Sequence, residues 1–250
     1  PCSADQEFQL AMFERHVARA ARRAAATGGD GAARPAFCYL PICVTGRMRG
    51  ALDARALRAA LGVVVARHDA MRTRLTAVPG QAARHLQIVT PAEHFELPLR
   101  ELAAPNFEGA LAALQAAYDA TPNDPLQAEQ PSLFVAALVA IGVAGDEHLL
   151  HLRTHHSVSD GWSQQMVYAE LVAAYNAASA LGAGADDAAR SAAIARALPP
   201  RPALQHADFC AWQWQQDASG RCAADVAAVR AAVARGARRL PEWPTCACAH

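Results

Sequence analysis

The chain has 250 residues, with 23 basic and 23 acidic side chains and a hydrophobic fraction of 53%. That is enough apolar material for a real core, so disorder over most of the length is excluded. The balanced charge, with no basic stripe, argues against binding to nucleic acid or to an anionic membrane surface. All the basic residues are arginine, which rules out a lysine Schiff base or lysine general base.

In chain order, residues 5–26 read as an amphipathic helix, with Phe8, Met12 and Phe13 at helical spacing. A Gly-rich loop, "TGGDGAARP", ends it. "AFCYLPICVTG" (36–46) reads as a strand despite Pro41. Asp53 is placed to cap a helix that sets Leu57, Leu61, Val64 and Val65 on one face. "AMRTRLTAV" and "ARHLQIV" flank "PGQ" as a hairpin. "NFEGALAALQAAYDA" predicts a helix that stops before Pro122. "PSLFVAALVAI" and "EHLLHLRTHH" predict two strands joined by "GVAGD". A helix follows over 163–180, with Met166, Val167, Leu171 and Tyr175 expected to face the core.

Residues 183–203 are small, polar and Pro-containing, and are expected to be a flexible linker. Residues 204–250 read as helical material ending in an irregular, Pro-containing tail. The longest apolar run, "PSLFVAALVAIGVAG", is too short to span a bilayer, and the start shows no secretory signal. The seven cysteines are scattered without a CxxC pair, which favours reduced thiols in a cytoplasm. In the tail, Cys246, Cys248 and His250 lie close together, but a frayed terminus explains them better than a metal site. The alternation of strands and helices predicts an α/β (α+β layered) fold, a mixed sheet with helices packed on it.

The chemistry concentrates in "HHSVSDGWS", His155 to Ser163. Strand alternation places His148 with His156 on one face and His151 with His155 on the other, which argues against one metal site. Ser157 and Ser159 are too near the histidines in sequence for a triad, and no G-x-S-x-G turn exists. A Ser-x-Asp-Gly run also marks an ordinary turn and helix cap. One neutral imidazole acting as a base remains, with His156 in that role and Asp160 as organiser. Gly161 would permit a positive φ or close approach of a ligand to the backbone.

The pattern H-H-x-x-x-D-G, filled by His155, His156, Asp160 and Gly161, resembles the hallmark of the chloramphenicol acetyltransferase-like superfamily. With Trp162 and Ser163 it looks most like the condensation domains of nonribosomal peptide synthetases. Three further stretches resemble family motifs in order. "SADQEFQL" matches the opening S-x-A-Q, with Asp5 in place of Ala. "RHDAMRT" supplies Arg67, His68, Arg72 and Thr73. "ALQHADFCAWQWQQ" matches a later block, with His206 in place of Tyr.

The resemblance implies an amide-forming acyltransferase that joins two acyl groups carried as phosphopantetheine thioesters on an upstream donor and a downstream acceptor carrier protein. No directly bound cofactor or metal is implied, nor any nucleic acid or membrane partner. His156 would be the base or orienting partner of the attacking amine. His155 would be structural. Asp160 would hold the loop through an arginine, with Arg67 and Arg72 as candidate partners. Gly161 would let the substrate approach. Trp162 and Ser163 lean toward an L-configured donor. Residues 1–182 would form the amino-terminal lobe, and 204–250 would lead to a second lobe that the family uses to close its tunnel. The non-Met start suggests an excised piece. A coenzyme A-dependent acyltransferase and a non-catalytic docking or scaffold element are the alternatives.

Overall fold

The computed structural model describes residues 2–3, 6–12, 41–80, 85–120, 126, 133–142, 146–220 and 223–236. Its centre is a four-stranded mixed sheet in the order β1-β6-β5-β4. These strands are β1 (Ile42–Arg49), β4 (Leu99–Ala104), β5 (Phe134–Ile141) and β6 (Glu147–Thr154). β6 runs antiparallel to both β1 and β5, and β4 runs parallel to β5. A separate hairpin joins β2 (Thr73–Ala77) to β3 (His85–Val89).

The sheet is covered on both faces; of its two central strands β5 is apolar throughout, and β6 contributes Leu149, Leu150 and Leu152 to the two cores. One face carries α2 (Ala54–Arg67) and α4 (Gly161–Ser179). There Leu57, Leu61 and Val64 of α2 and Leu171 of α4 pack on Phe134, Leu138, Leu150 and Leu152. The other face carries α3 (Phe107–Asp119), whose Ala110 and Leu114 meet Val139, Ile141 and Leu149. The alternation of Leu149 against Leu150 and Leu152 is the period-two pleat of β6.

Several sequence expectations hold. Asp53 caps α2 through the Ala56 N–H at 2.9 Å, and Asn106 caps α3 through the Gly109 N–H at 2.8 Å. The 70–89 hairpin forms, with a 3₁₀ turn over Asp69–Arg72 ahead of β2. The first helix, α1, is described over 6–12. The apolar face expected from Phe8 is corrected: Phe8 is 58% exposed and the inward face is Gln6 and Leu10, while Phe13 and the expected remainder of the helix to 26 lie outside the described residues.

One strand is unforeseen and two further expectations are corrected. β4 is a strand that the sequence pattern does not announce. Met166 is 58% exposed, and the core face of α4 is Val167, Leu171 and Ala174 with Tyr175 at its border. The expected flexible linker over 183–203 instead contains α5 (Asp187–Ala197), docked on α2 and α4. Ile194 is fully buried, and so is Arg190, whose guanidinium meets Asp53 at 3.0 Å and the carbonyls of Ala178 at 2.8 Å and Gly182 at 2.9 Å. Gly182 adopts φ +76°, a turn open to glycine, which ends α4 and presents that carbonyl.

α6 (His206–Ala218) and α7 (Ala223–Gly236) follow. Cys2, Cys43 and Cys210 are free thiols, and the tail cysteines lie outside the described residues. No described helix is long and apolar enough to cross a membrane.

Candidate active site

The site is built at the carboxyl end of β6. This strand lies between two others, so its end is held on both sides: Thr154 stands opposite Ile42 of β1 and Phe134 of β5. The ladder continues one residue further, with the His155 N–H donating to the Leu133 carbonyl at 2.9 Å. A turn then covers 156–158, closed by the Val158 N–H on the His155 carbonyl at 3.1 Å. Strand alternation therefore stops governing direction at His156.

His155 is 4% exposed. Its Nδ1 accepts from the Ser157 N–H at 3.1 Å and lies 2.8 Å from the Ser157 Oγ. A backbone N–H can only donate, so Nδ1 is the acceptor and Nε2 carries the proton. That Nε2 is buried with no partner among the described residues. Burial, with the neighbouring His156 and Arg153, lowers the His155 pKa to about 4. His155 is thus a neutral, fixed ring. His156, by contrast, is half-buried, and its side chain has no hydrogen-bond partner among the described residues.

Asp160 caps α4, accepting from the Ser163 N–H at 2.8 Å and the Ser163 hydroxyl at 2.7 Å. Those bonds from Ser163 hold its carboxyl below the usual range. Among the described residues neither candidate arginine, Arg67 nor Arg72, pairs with Asp160. Arg67 is engaged by Glu170 of α4 at 3.0 and 3.2 Å. Arg72 bonds to Asp69 and to the carbonyls of Val65, Ala66 and Thr90. Both arginines brace the elements beside the loop. The physical reason is proximity: each finds a carboxylate or helix-end carbonyls nearer than the exposed Asp160. His68 also reaches Glu170, at 2.8 Å. Burial pushes the Glu170 carboxyl up, but the bonds from Arg67 and His68 outweigh it and its pKa is lowered.

Gly161 does not adopt a positive φ, so the conformational reason for glycine fails there. A Cβ at 161 would meet open space, so the position is free for an incoming group.

The other motif stretches are also local locks. Ser3 and Gln6 cap α1 reciprocally, Ser3 N–H to Gln6 Oε1 at 2.8 Å and Gln6 N–H to Ser3 Oγ at 3.1 Å. Gln205 ties the start of α6 to the 3₁₀ turn, accepting from the Asp69 N–H at 3.0 Å and donating to the Arg67 carbonyl at 3.2 Å. Sequence reasoning weighs Ser157 only as a triad member, not as the partner of His155, and misses Gln164 and Glu170. Gln164 donates to Thr154 at 2.5 Å and Ser159 at 2.9 Å, stitching the strand end and the loop to α4. No spacing rule singles these residues out.

The model of the condensation domain family matches residues 35–183. The chain belongs to the condensation domain family. It is 33% identical over 164 residues to the chondramide synthase cmdD of Chondromyces crocatus, covering 66% of this chain and 4% of that one. It is 31% identical over 175 residues to a linear gramicidin synthase of Brevibacillus parabrevis, covering 68% and 2%. Among solved structures it resembles the SgcC5 protein of Streptomyces globisporus, with TM-score 0.59 and 27% identity, covering 96% of this chain and 47% of that one. This condensation-domain chain therefore spans about half of that structural relative and a small part of the synthetases.

Proposed function

We propose that this condensation-domain chain supplies the histidine side of a peptide-bond-forming site. The reaction joins two acyl groups tethered as thioesters to an upstream donor and a downstream acceptor carrier protein. The amine of the acceptor attacks the donor thioester carbonyl. The C–N bond forms, the donor thiolate leaves, and the amine's proton passes to His156 and on to the thiol. The observation that carries this reading is the half-buried His156, unpartnered among the described residues, on a turn held by the His155–Ser157 contact and the Asp160 cap. A free amine is already a nucleophile, so orientation by His156 contributes alongside proton removal.

In this reading a second lobe closes the site over the loop, and α6 and α7 lead toward it. No directly bound cofactor takes part, since the pantetheine arms arrive with the carriers. The setting is the cytoplasm, where such carriers are loaded. Arg67 and Arg72 support the site from behind, and Gly161 leaves room for the arm.

The experiment supplies two loaded carrier proteins, with the chain completed by a second lobe, and follows dipeptidyl thioester by mass. His156→Ala is expected to lower the rate by ~10²–10⁴-fold while the thermal midpoint stays unchanged. Product from coenzyme A thioesters alone overturns the reading. Full activity in His156→Ala removes the assigned role.

A further inference from the structure

A cavity of about 350 Å³ opens beside the loop. This is at the low end of the ~300–1,000 Å³ of small-molecule sites. Its walls come from several places. The 3₁₀ turn and the residue before it give Met71 and His68, and the end of β6 gives Thr154. The loop gives Val158 and Ser159. The first turns of α4 give Ser163, Gln164, Met166 and Val167, and the strap before α6 gives Pro202 and Leu204. The strap is stapled in place: Gln205 reaches Asp69 and Arg67, and Arg201 meets Asp69 at 2.6 Å.

The lining specifies a chemistry. Among the described residues it contains no carboxylate and no arginine; its titratable groups are the imidazoles of His68 and of His206, which stacks on Phe209. The imidazole of His68 is turned to Glu170. Thioethers and branched aliphatic groups form the body, and a thioether adapts to varied apolar shapes. Gln164 is 6% exposed and commits its amide N–H bonds to Thr154 and Ser159. Its Oε1 is left as an acceptor without a donor among the described residues. The Ser159 hydroxyl accepts that Gln164 bond, which leaves its own proton to give. A cationic group placed here would meet no carboxylate of the lining and an anionic group no arginine, so desolvating either is disfavoured.

We infer that this cavity receives the side chain of one tethered aminoacyl group, and that it selects a neutral aliphatic or aromatic side chain. The inference rests on the reading of the chain as a condensation domain acting on aminoacyl thioesters. It assigns that site a substrate class that follows from the residues of this chain alone.

The chain's four methionines provide the test. Met71 and Met166 line the cavity; Met12 and Met48 do not. The 250-residue chain is labelled with ¹³C at the methionine methyls. It is titrated with N-acetylcysteamine thioesters of leucine, phenylalanine, aspartate and arginine. The leucine and phenylalanine thioesters are expected to shift the Met71 and Met166 signals saturably, leaving Met48 in place. The charged pair are expected to bind at least ~tenfold more weakly, because an unpaired charge must be buried. Met166→Trp, at an exposed position that tolerates bulk, fills the mouth and abolishes the Met71 shift.

Equal binding of charged and neutral thioesters overturns the inference, as does the absence of any Met71 shift at saturating ligand. The two readings fail separately. Shifts without condensation in the completed system sink the proposed reaction and leave the cavity's selectivity standing. Condensation with Met71 and Met166 unmoved sinks the cavity.

Discussion

At the residue scale, the two adjacent histidines sit in different environments, His155 buried and His156 half-buried. His155 is locked in one tautomer by Ser157, and burial suppresses its charge. That suppression is a statement about stability. The unfolded chain binds this proton at an ordinary value of 6.5, and the folded chain only at about 4. Stability is therefore complete above 6.5 and declines as pH falls toward 4. The loss from this group is ~2 kcal/mol by about pH 5 and approaches ~3 kcal/mol near pH 4. His155→Asn, whose Oδ1 can accept from Ser157 as Nδ1 does, should flatten the profile between about pH 7 and pH 5. Urea titrations at those two pH values measure it, and an unchanged slope rejects the account. Asp160 illustrates the opposite case. Its role is local, so Asp160→Ala should cost about 1 kcal/mol through the lost cap, and Asp160→Asn almost nothing. A loss of several kcal/mol in Asp160→Ala would restore the buried-arginine partner that the structure places elsewhere.

At the element scale, the strands and helices with clean periodicity are legible in the sequence: β5, β6, α2 and α3 carry apolar residues at the spacing their faces need. The histidine-loop motif is legible too. Which arginine serves which carboxylate is not, since pairing depends on distances that spacing does not encode. α5 is hidden because its inward face is Ala193, Ile194 and an arginine. An arginine reads as surface until a partner is seen. β4 is hidden because "LRELAA" mixes charge with helix-favouring residues, at the edge of the sheet. The buried Arg190 predicts a measurable asymmetry. Asp53→Asn keeps the α2 cap, because asparagine caps as well as aspartate. It still removes the charge that faces Arg190 at 3.0 Å, so it should destabilise by ~3 kcal/mol. Pairing it with Arg190→Leu in a double-mutant cycle should recover much of that loss. Independent, additive effects would show that the pair contributes nothing.

At the scale of the whole molecule, the described residues expose several large aromatic side chains. Trp162 is 78% exposed, and Phe209, Trp212 and Trp214 of α6 are also exposed. Exposed aromatic groups on helices are the kind of surface that a second body covers. Under the proposed reaction that body is the second lobe, so its addition should dry these rings. The emission of the free chain should be red-shifted and readily quenched by acrylamide. Saturating second lobe should move it to the blue and protect it. Trp162→Phe should remove a large part of the change, since that indole stands in the first turn of α4, directly after the histidine loop. If condensation is restored while the emission and quenching stay as they were, the lobe closes the site from a different face, and the aromatic surface of α4 and α6 has another use.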